Sequence, residues 1–242
     1  MSQGTALVVG VGAESGLGAG LARRFAREGL RVVIAGRTGE RLQAAASGIR
    51  SAGGSIVIRV ADATSETDVA ALLDTADDEN DLELVAYNVG NNFAAPALET
   101  ETRLFEDLWR QNALGGFLVG REAIRRFLPR QKGTLLFTGA TASLRARPPF
   151  LAFASAKAAL RAVAQGLARE FGPQSVHVAH IIIDGVIQGE YAATKFPDYV
   201  RSKGENGVLA VNAIADAYWV LHRQLASAWT HELDLRPFKE PF

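Results

Sequence analysis

Apolar residues along this chain fall into two patterns. Some form short, nearly unbroken runs: TALVVGV (5–11), LRVVIAG (30–36), SIVIRVA (55–61), LELVAYNV (82–89), GTLLFTG (133–139) and SVHVAHIII (175–183). Their length and β-branched content predict strands buried on both faces of a parallel sheet. THELDLR (230–236) alternates apolar with polar and predicts a seventh strand, nearer a sheet edge.

Between these runs the apolar residues recur at helical spacing. GLGAGLARRFAREG places Leu17, Leu21 and Phe25 on one face and stops at Gly29, and TGERLQAAASGIRSAGG ends on a glycine pair. SETDVAALLDTA opens with Ser65 ahead of acidic residues, a helix-start signal. The stretch 99–128 predicts a long helix interrupted at Gly115–Gly116, and FASAKAALRAVAQGLAREFG and VLAVNAIADAYWVLHRQL predict two more. Strand–helix alternation throughout implies a doubly wound α/β sheet, because right-handed crossovers put helices on both faces. No linker, repeat or low-complexity tract divides the chain, so residues 1–242 read as a single domain. One segment, 188–207, is polar and follows the sixth strand, which marks it as a substrate lid.

Composition narrows the function. Lys plus Arg equal Asp plus Glu at 26 each in 242 residues, with no basic surplus for nucleic acid. Cysteine is absent, which excludes disulfides, thiolate nucleophiles and cysteine metal sites. The four histidines show no metal-like spacing. No apolar run approaches the ~18 residues of a membrane span. The opening MSQGTALVVGVG lacks the basic flank of a secretory signal. The expectation is a soluble, cytoplasmic protein with neither nucleic-acid nor membrane partners.

The first strand runs through VVGVGAESGLGAG into the first helix. Gly12, Gly16 and Gly18 fall as G-x-x-x-G-x-G. Gly12 is expected to turn the chain, and Gly16 and Gly18 to let a pyrophosphate and the neighbouring strand approach, with Ser15 and Leu17 on the same loop. A helix N-terminus beyond such a turn suits an anion, here a dinucleotide. At the end of the second strand, Gly36 stands where NAD sites usually carry an acid, and Arg37 follows. A guanidinium fits a 2′-phosphate, so NADP is favoured with NAD possible; the alternative is that Arg37 only opens a helix in solvent. Asp62, beside Ala63, can accept from an adenine amino group or cap the next helix. Asn88 and Gly90 close the fourth strand where flat backbone can face a ribose.

In this order and spacing, nearly the whole chain resembles the short-chain dehydrogenase/reductase superfamily. The resemblance rests on G-x-x-x-G-x-G at 12–18, N-x-G at 88–90, Asn112, SAKAAL around Lys157 and DGVI at 184–187. It implies a Rossmann fold, a nicotinamide cofactor reaching Lys157, Gly185 and Ile187, a small-molecule substrate and a homodimer or homotetramer. The alanine-rich helix at 153–171 and the aromatic C-terminal region are the faces it suggests for assembly. It also implies an Asn–Ser–Tyr–Lys set in which Tyr transfers the proton, Lys lowers its pKa and holds the ribose, Ser orients the carbonyl and Asn carries a water. Asn112 and Lys157 match. The tyrosine position holds Phe153, and the serine position holds Ala140. The usual Pro-Gly is Asp184–Gly185, and the usual threonine beyond it is Gly189.

A benzene ring cannot transfer a proton, so general acid–base help of about 10²–10⁴-fold must come from elsewhere or be lost. Hydride proximity remains. Thr141 and Ser143 are hydroxyls that can orient substrate; Lys157, a water it holds, or a protonated Asp184 can supply the proton. Each has a plainer reading: Phe153 as packing, Lys157 as a ribose ligand only, Asn112 as the cap of a helix kink, Thr141 and Ser143 as turn hydroxyls. The expected function is an NAD(P)-dependent oxidoreductase, acting on a carbonyl or conjugated alkene with a non-standard proton donor. The rival is an inactive NADP(H)-binding sensor or partner subunit; cofactor-free lyase chemistry is the weakest option. Tyr191, Phe196 and Tyr199 in the lid hint at an apolar or aromatic substrate.

Overall fold

The computed structural model describes residues 4–78, 81–90 and 92–240. All seven expected strands form: β1 (Thr5–Val9), β2 (Arg31–Gly36), β3 (Ile56–Val60), β4 (Leu82–Tyr87), β5 (Gly133–Thr138), β6 (Val176–Ile183) and β7 (Glu232–Leu235). They build one parallel sheet in the order β3-β2-β1-β4-β5-β6-β7. Parallel neighbours need crossovers, and the helices supply them: α1 (Leu17–Arg27), α2 (Gly39–Ser51), α3 (Glu66–Asp77), α4 (Thr102–Trp109), α5 (Gly115–Phe127), α6 (Leu151–Phe171) and α9 (Val211–His222).

Strand alternation divides the apolar residues between two cores. Ala6, Val8, Val32 and Ile34 pack on one face under Leu21 and Phe25 of α1, Leu42 of α2 and Tyr218 of α9. Leu7, Val9, Val33 and Val85 pack on the other under Leu72 of α3, Phe127 of α5 and Leu160 of α6. Fully burying a side chain such as Phe25 contributes about 1.5–3 kcal/mol. β3 departs from expectation: as an edge strand it is only half covered, with Arg59 and Val60 exposed. β7 forms the opposite edge, as its alternating pattern implies.

Ser65 caps α3, its side chain accepting from Asp68 N. The interruption expected at Gly115–Gly116 lies just ahead of them. α4 runs into a π-helical turn at Arg110–Leu114, and α5 resumes at Gly115. The glycines serve packing instead: a Cβ on Gly115 would lie 2.3 Å from the Tyr87 hydroxyl, and one on Gly116 2.4 Å from Leu160. The segment expected as a lid forms two short helices, α7 (Glu190–Lys195) and α8 (Pro197–Lys203). Its base is closed by Leu209, which donates to Val186 O at 2.9 Å and accepts from Gln188 N at 2.8 Å. β1 and β4 adjoin at the centre of the sheet and send their connections to opposite faces, which opens a crevice beyond their C-terminal ends.

Candidate functional site

Two cavities occupy that crevice, and both are bounded by Asn88 and Gly90. The smaller, about 190 Å³, is lined by Gly12, Gly36, Arg37, Asp62 and Ala63 among others. The larger, about 620 Å³, is lined by Ser15, Gly16, Leu17, Thr141, Lys157, Gly185 and Ile187 and by the lid. Every expected cofactor residue except Gly18 therefore borders one trough that runs across the switch point.

The glycines have separate tasks. The tight turn lies at Gly10, not at Gly12 as expected: Gly10 has φ +96°, and a Cβ there would lie 2.6 Å from Asn88 backbone atoms. Gly12 has no atom within 4 Å of a built Cβ, so its missing side chain leaves a cradle over the loop. Gly16 is the N-cap of α1, and no side chain caps that helix end, so its first N–H groups face outward with the positive end of the dipole. Gly18 packs beneath, where a Cβ would meet Gly10 O at 2.8 Å and Val11 Cα at 3.0 Å. A phosphate-sized anion fits this open cradle. Ser15 also reaches the lid, its Oγ accepting from Glu190 N at 3.0 Å.

At the far end of the smaller cavity Arg37 is exposed and makes no hydrogen bond or ion pair among the described residues. Arg41, one helical turn on, borders the same cavity. Periodicity alone carried the signal for Arg41. Asp62 Oδ1 accepts from Thr64 N at 2.8 Å and Thr64 Oγ1 at 2.9 Å, and the backbone bond foremost holds its carboxyl below the usual range. Asp62 does not cap the next helix, a place Ser65 takes; its Oδ1 instead closes a local turn with Thr64, leaving Oδ2 for any adenine contact. Asn88 Nδ2 donates to Gly10 O at 3.1 Å, tying the two strand ends together.

Lys157 is 4% exposed, and its Nζ donates to Thr138 O at 2.9 Å. Burial lowers its pKa to about 8. The Phe153 ring lies 5.8 Å from Nζ, a cation–π contact. Asn112 sits in the π-helical turn, fully buried, and donates through Nδ2 to Leu108 O at 2.8 Å. The kink-cap reading of Asn112 is therefore realised, while its Oδ1 has no partner among the described residues. Gly90, at φ +125°, leaves room for that oxygen: a Cβ there would approach it to 2.2 Å.

The hydroxyl candidates separate. Thr141 borders the larger cavity and donates to Asp184 Oδ1. Ser143 is corrected: it is buried away from the cavity, accepts from Ala140 N at 3.1 Å and meets His180 Nε2 at 3.4 Å. His180 in turn bonds Glu232, which Arg161 holds at 2.6 Å and 2.8 Å. Asp184 is corrected as well. Its Oδ2 accepts from Arg145 and pairs with Arg236, each at 2.9 Å, and its Oδ1 accepts from Thr141, so both oxygens are engaged by neighbouring side chains. Arg236 lies far along the chain, and nothing in the local sequence signals this pairing. Tyr191, Phe196 and Tyr199 all border the cavity from the lid, as their place in the sequence suggested.

Two of the C-terminal aromatics pack within the chain, Trp229 stacking on His177 at 4.9 Å and Trp219 against Phe25, while Phe238 is exposed. Among the described residues no helix is long and apolar enough to cross a membrane. Nor does any group of three His, Cys, Asp or Glu stand ready to hold a metal ion among them.

Comparison with known proteins bears on this trough. A family model described as short chain dehydrogenase matches residues 5–199. Gluconate 5-dehydrogenase of Gluconobacter oxydans is 29% identical over 195 residues, 79% of this chain and 73% of that protein. The crystal structure of a short-chain dehydrogenase from Rhodopseudomonas palustris superimposes with TM-score 0.83 at 42% identity, covering 97% of this chain and 99% of the other. An NADPH-bound short chain oxidoreductase from Pseudomonas aeruginosa, described as containing an atypical catalytic center, shares the fold with TM-score 0.87 at 20% identity, over 98% and 96% of the two chains. The chain belongs to the short-chain dehydrogenase family.

Proposed function

We propose that this protein is an NADP(H)-dependent oxidoreductase acting on a carbonyl compound or a conjugated alkene, with Lys157 in the proton-handling role that Phe153 cannot fill. One observation carries the reading. A buried lysine with its pKa brought to about 8 stands in the wall of a 620 Å³ cavity that continues into the glycine cradle. A group of that pKa holds a proton at neutral pH and releases it readily, the condition for general acid catalysis.

The cofactor fits the residues present. The cradle at Gly12 and the uncapped start of α1 suit the pyrophosphate, and Arg37 with Arg41 suits a 2′-phosphate. When bound, the nicotinamide dinucleotide supplies or takes the hydride. The chain's own residues do the rest. Lys157 keeps its ammonium oriented through Thr138 O and has two further N–H donors for a ribose and for a developing oxyanion. Asn112 Oδ1 offers an acceptor to a water on the proton path. Thr141 orients the substrate, and the lid with Tyr191 and Phe196 excludes solvent.

The rival reading, a dinucleotide sensor without turnover, draws on Phe153 and Ala140 in the cavity wall. Titration with NADPH and NADH, followed by nicotinamide fluorescence, and then NADPH oxidation over a carbonyl and enone panel separates the two. Saturation with NADPH preferred and measurable oxidation support the enzyme. Tight binding without oxidation of any substrate supports the sensor, and no binding of either dinucleotide sinks both. A homodimer or homotetramer belongs to the same proposal, and light scattering of the purified protein tests it.

A further inference from the structure

Thr141 borders the larger cavity with a hydroxyl whose one proton is already committed. Its Oγ1 donates to Asp184 Oδ1. That direction follows from what else holds the carboxyl. Asp184 is 3% exposed; Arg145 donates to its Oδ2 at 2.9 Å, and the Arg236 guanidinium forms an ion pair with the same oxygen at 2.9 Å. A carboxylate so paired is an acceptor only, and a hydroxyl has one proton and two lone pairs. Thr141 therefore offers lone pairs to whatever enters the cavity. A carbonyl oxygen set against it meets oxygen with oxygen, and both stay unpaired. A hydroxyl or N–H group set there finds an acceptor.

The nearest positions of the loop add no hydroxyl, and the donors beyond them are Arg145, which is engaged by Asp184, and Arg147 further along the wall. Ala140 and Ala142 carry no hydroxyl, and that of Ser143 is turned inward to Ala140 N and His180. Lys157 then supplies the donor for the reacting carbonyl, while the Thr141 oxygen reads a second group on the substrate.

We propose that the cavity selects substrates carrying a hydrogen-bond donor beside the reacting carbon, α-hydroxy carbonyl compounds above plain ketones, with Thr141 as the specificity-determining acceptor and Asp184 as the residue that sets its polarity. The inference rests on the oxidoreductase reading above. The aromatic wall of Phe150, Phe153, Tyr191 and Phe196 accommodates a phenyl-bearing probe.

The test is calorimetric titration of NADP⁺-loaded protein with 2-hydroxyacetophenone and with acetophenone, which share ring and carbonyl and differ by the hydroxyl. One neutral hydrogen bond corresponds to a preference of about fivefold to tenfold for the hydroxy ketone in the wild type. The ratio of the two constants is expected to fall near one in Thr141→Val, which keeps the shape but not the oxygen, and to persist in Thr141→Ser. Equal affinities in the wild type overturn the inference, as does a preference that survives in Thr141→Val. Failure to bind either ketone by protein that still saturates with NADP⁺ overturns it alone. Failure to bind NADP⁺ overturns the oxidoreductase reading beneath it and the inference with it.

Discussion

Replacing Lys157 by methionine is expected to make the protein more stable and less active. The lysine is 4% exposed, and burial lowers its pKa from 10.5 to about 8. A depressed lysine pKa means that the folded state disfavours the charge. Below pH 8 the folded protein carries that cost in full; between pH 8 and 10.5 the folded form releases the proton first, so stability rises with pH across that window. The shift corresponds to roughly 3 kcal/mol. Methionine fills most of the volume without the charge, but it loses the bond to Thr138 O and the Phe153 cation–π contact. Together these offset about 2 kcal/mol. The net gain at pH 7 is about 1 kcal/mol, or about 2–4 °C in Tm for a chain of this length. Thermal unfolding of both proteins from pH 7 to pH 10 measures it, with NADPH oxidation assayed alongside. The Tm advantage should shrink as pH rises past 8, and turnover should be lost at every pH. In the wild type, reduction should fall off above about pH 8 as the ammonium loses its proton. A variant less stable at pH 7, or a difference that does not change with pH, would refute the account of Lys157 as a strained functional charge.

The two glycine substitutions should separate binding from folding. Gly12→Ala adds a methyl that meets no protein atom within 4 Å, so Tm should hold while NADPH affinity falls by about 1–3 kcal/mol, read by fluorescence titration. Gly18→Ala places its Cβ 2.8 Å from Gly10 O and should lower Tm by forcing α1 off β1, which differential scanning calorimetry reports. Arg37→Ala should weaken NADPH more than NADH, since only the former carries the 2′-phosphate; equal losses would remove the guanidinium from cofactor choice. His180, fully buried, has its pKa pushed down to about 4 by burial, so the folded state favours the neutral ring. Its contribution is complete above pH 6.5 and is lost as pH falls from there toward 4, about 3 kcal/mol at most. His180→Gln should flatten that part of the stability–pH curve, measured by denaturant melts.

Much of this architecture is legible in the chain because it depends on local periodicity. Unbroken apolar runs pointed to strands covered on both faces, and each was followed by a helix. β3 looked the same as the others, yet it lies at an edge, because the order of strands in a sheet depends on crossovers and leaves no trace in a five-residue run. The glycine turn, Arg37, Asn88 and Lys157 were visible because backbone close approach and charge at strand ends need particular residue types at short spacing. Arg41 was readable in principle from its helical offset to Arg37. What the sequence could not decide was the direction of side chains brought together from distant segments. Thr141 and Ser143 stand two positions apart with the same functional group, but the short 3-10 turn at Thr141–Ser143 sends one to the cavity and the other to His180. Asp184 read as an acid until Arg145 and Arg236 arrived from the preceding loop and the far end of the chain. The sequence by itself determined the sheet, the cradle and a phenylalanine four residues before Lys157, all properties of residue type and spacing. The tertiary structure decided which hydroxyl borders the cavity, which partner takes its proton and how deeply Lys157 is buried, because hydrogen-bond polarity and desolvation depend on partners remote in sequence.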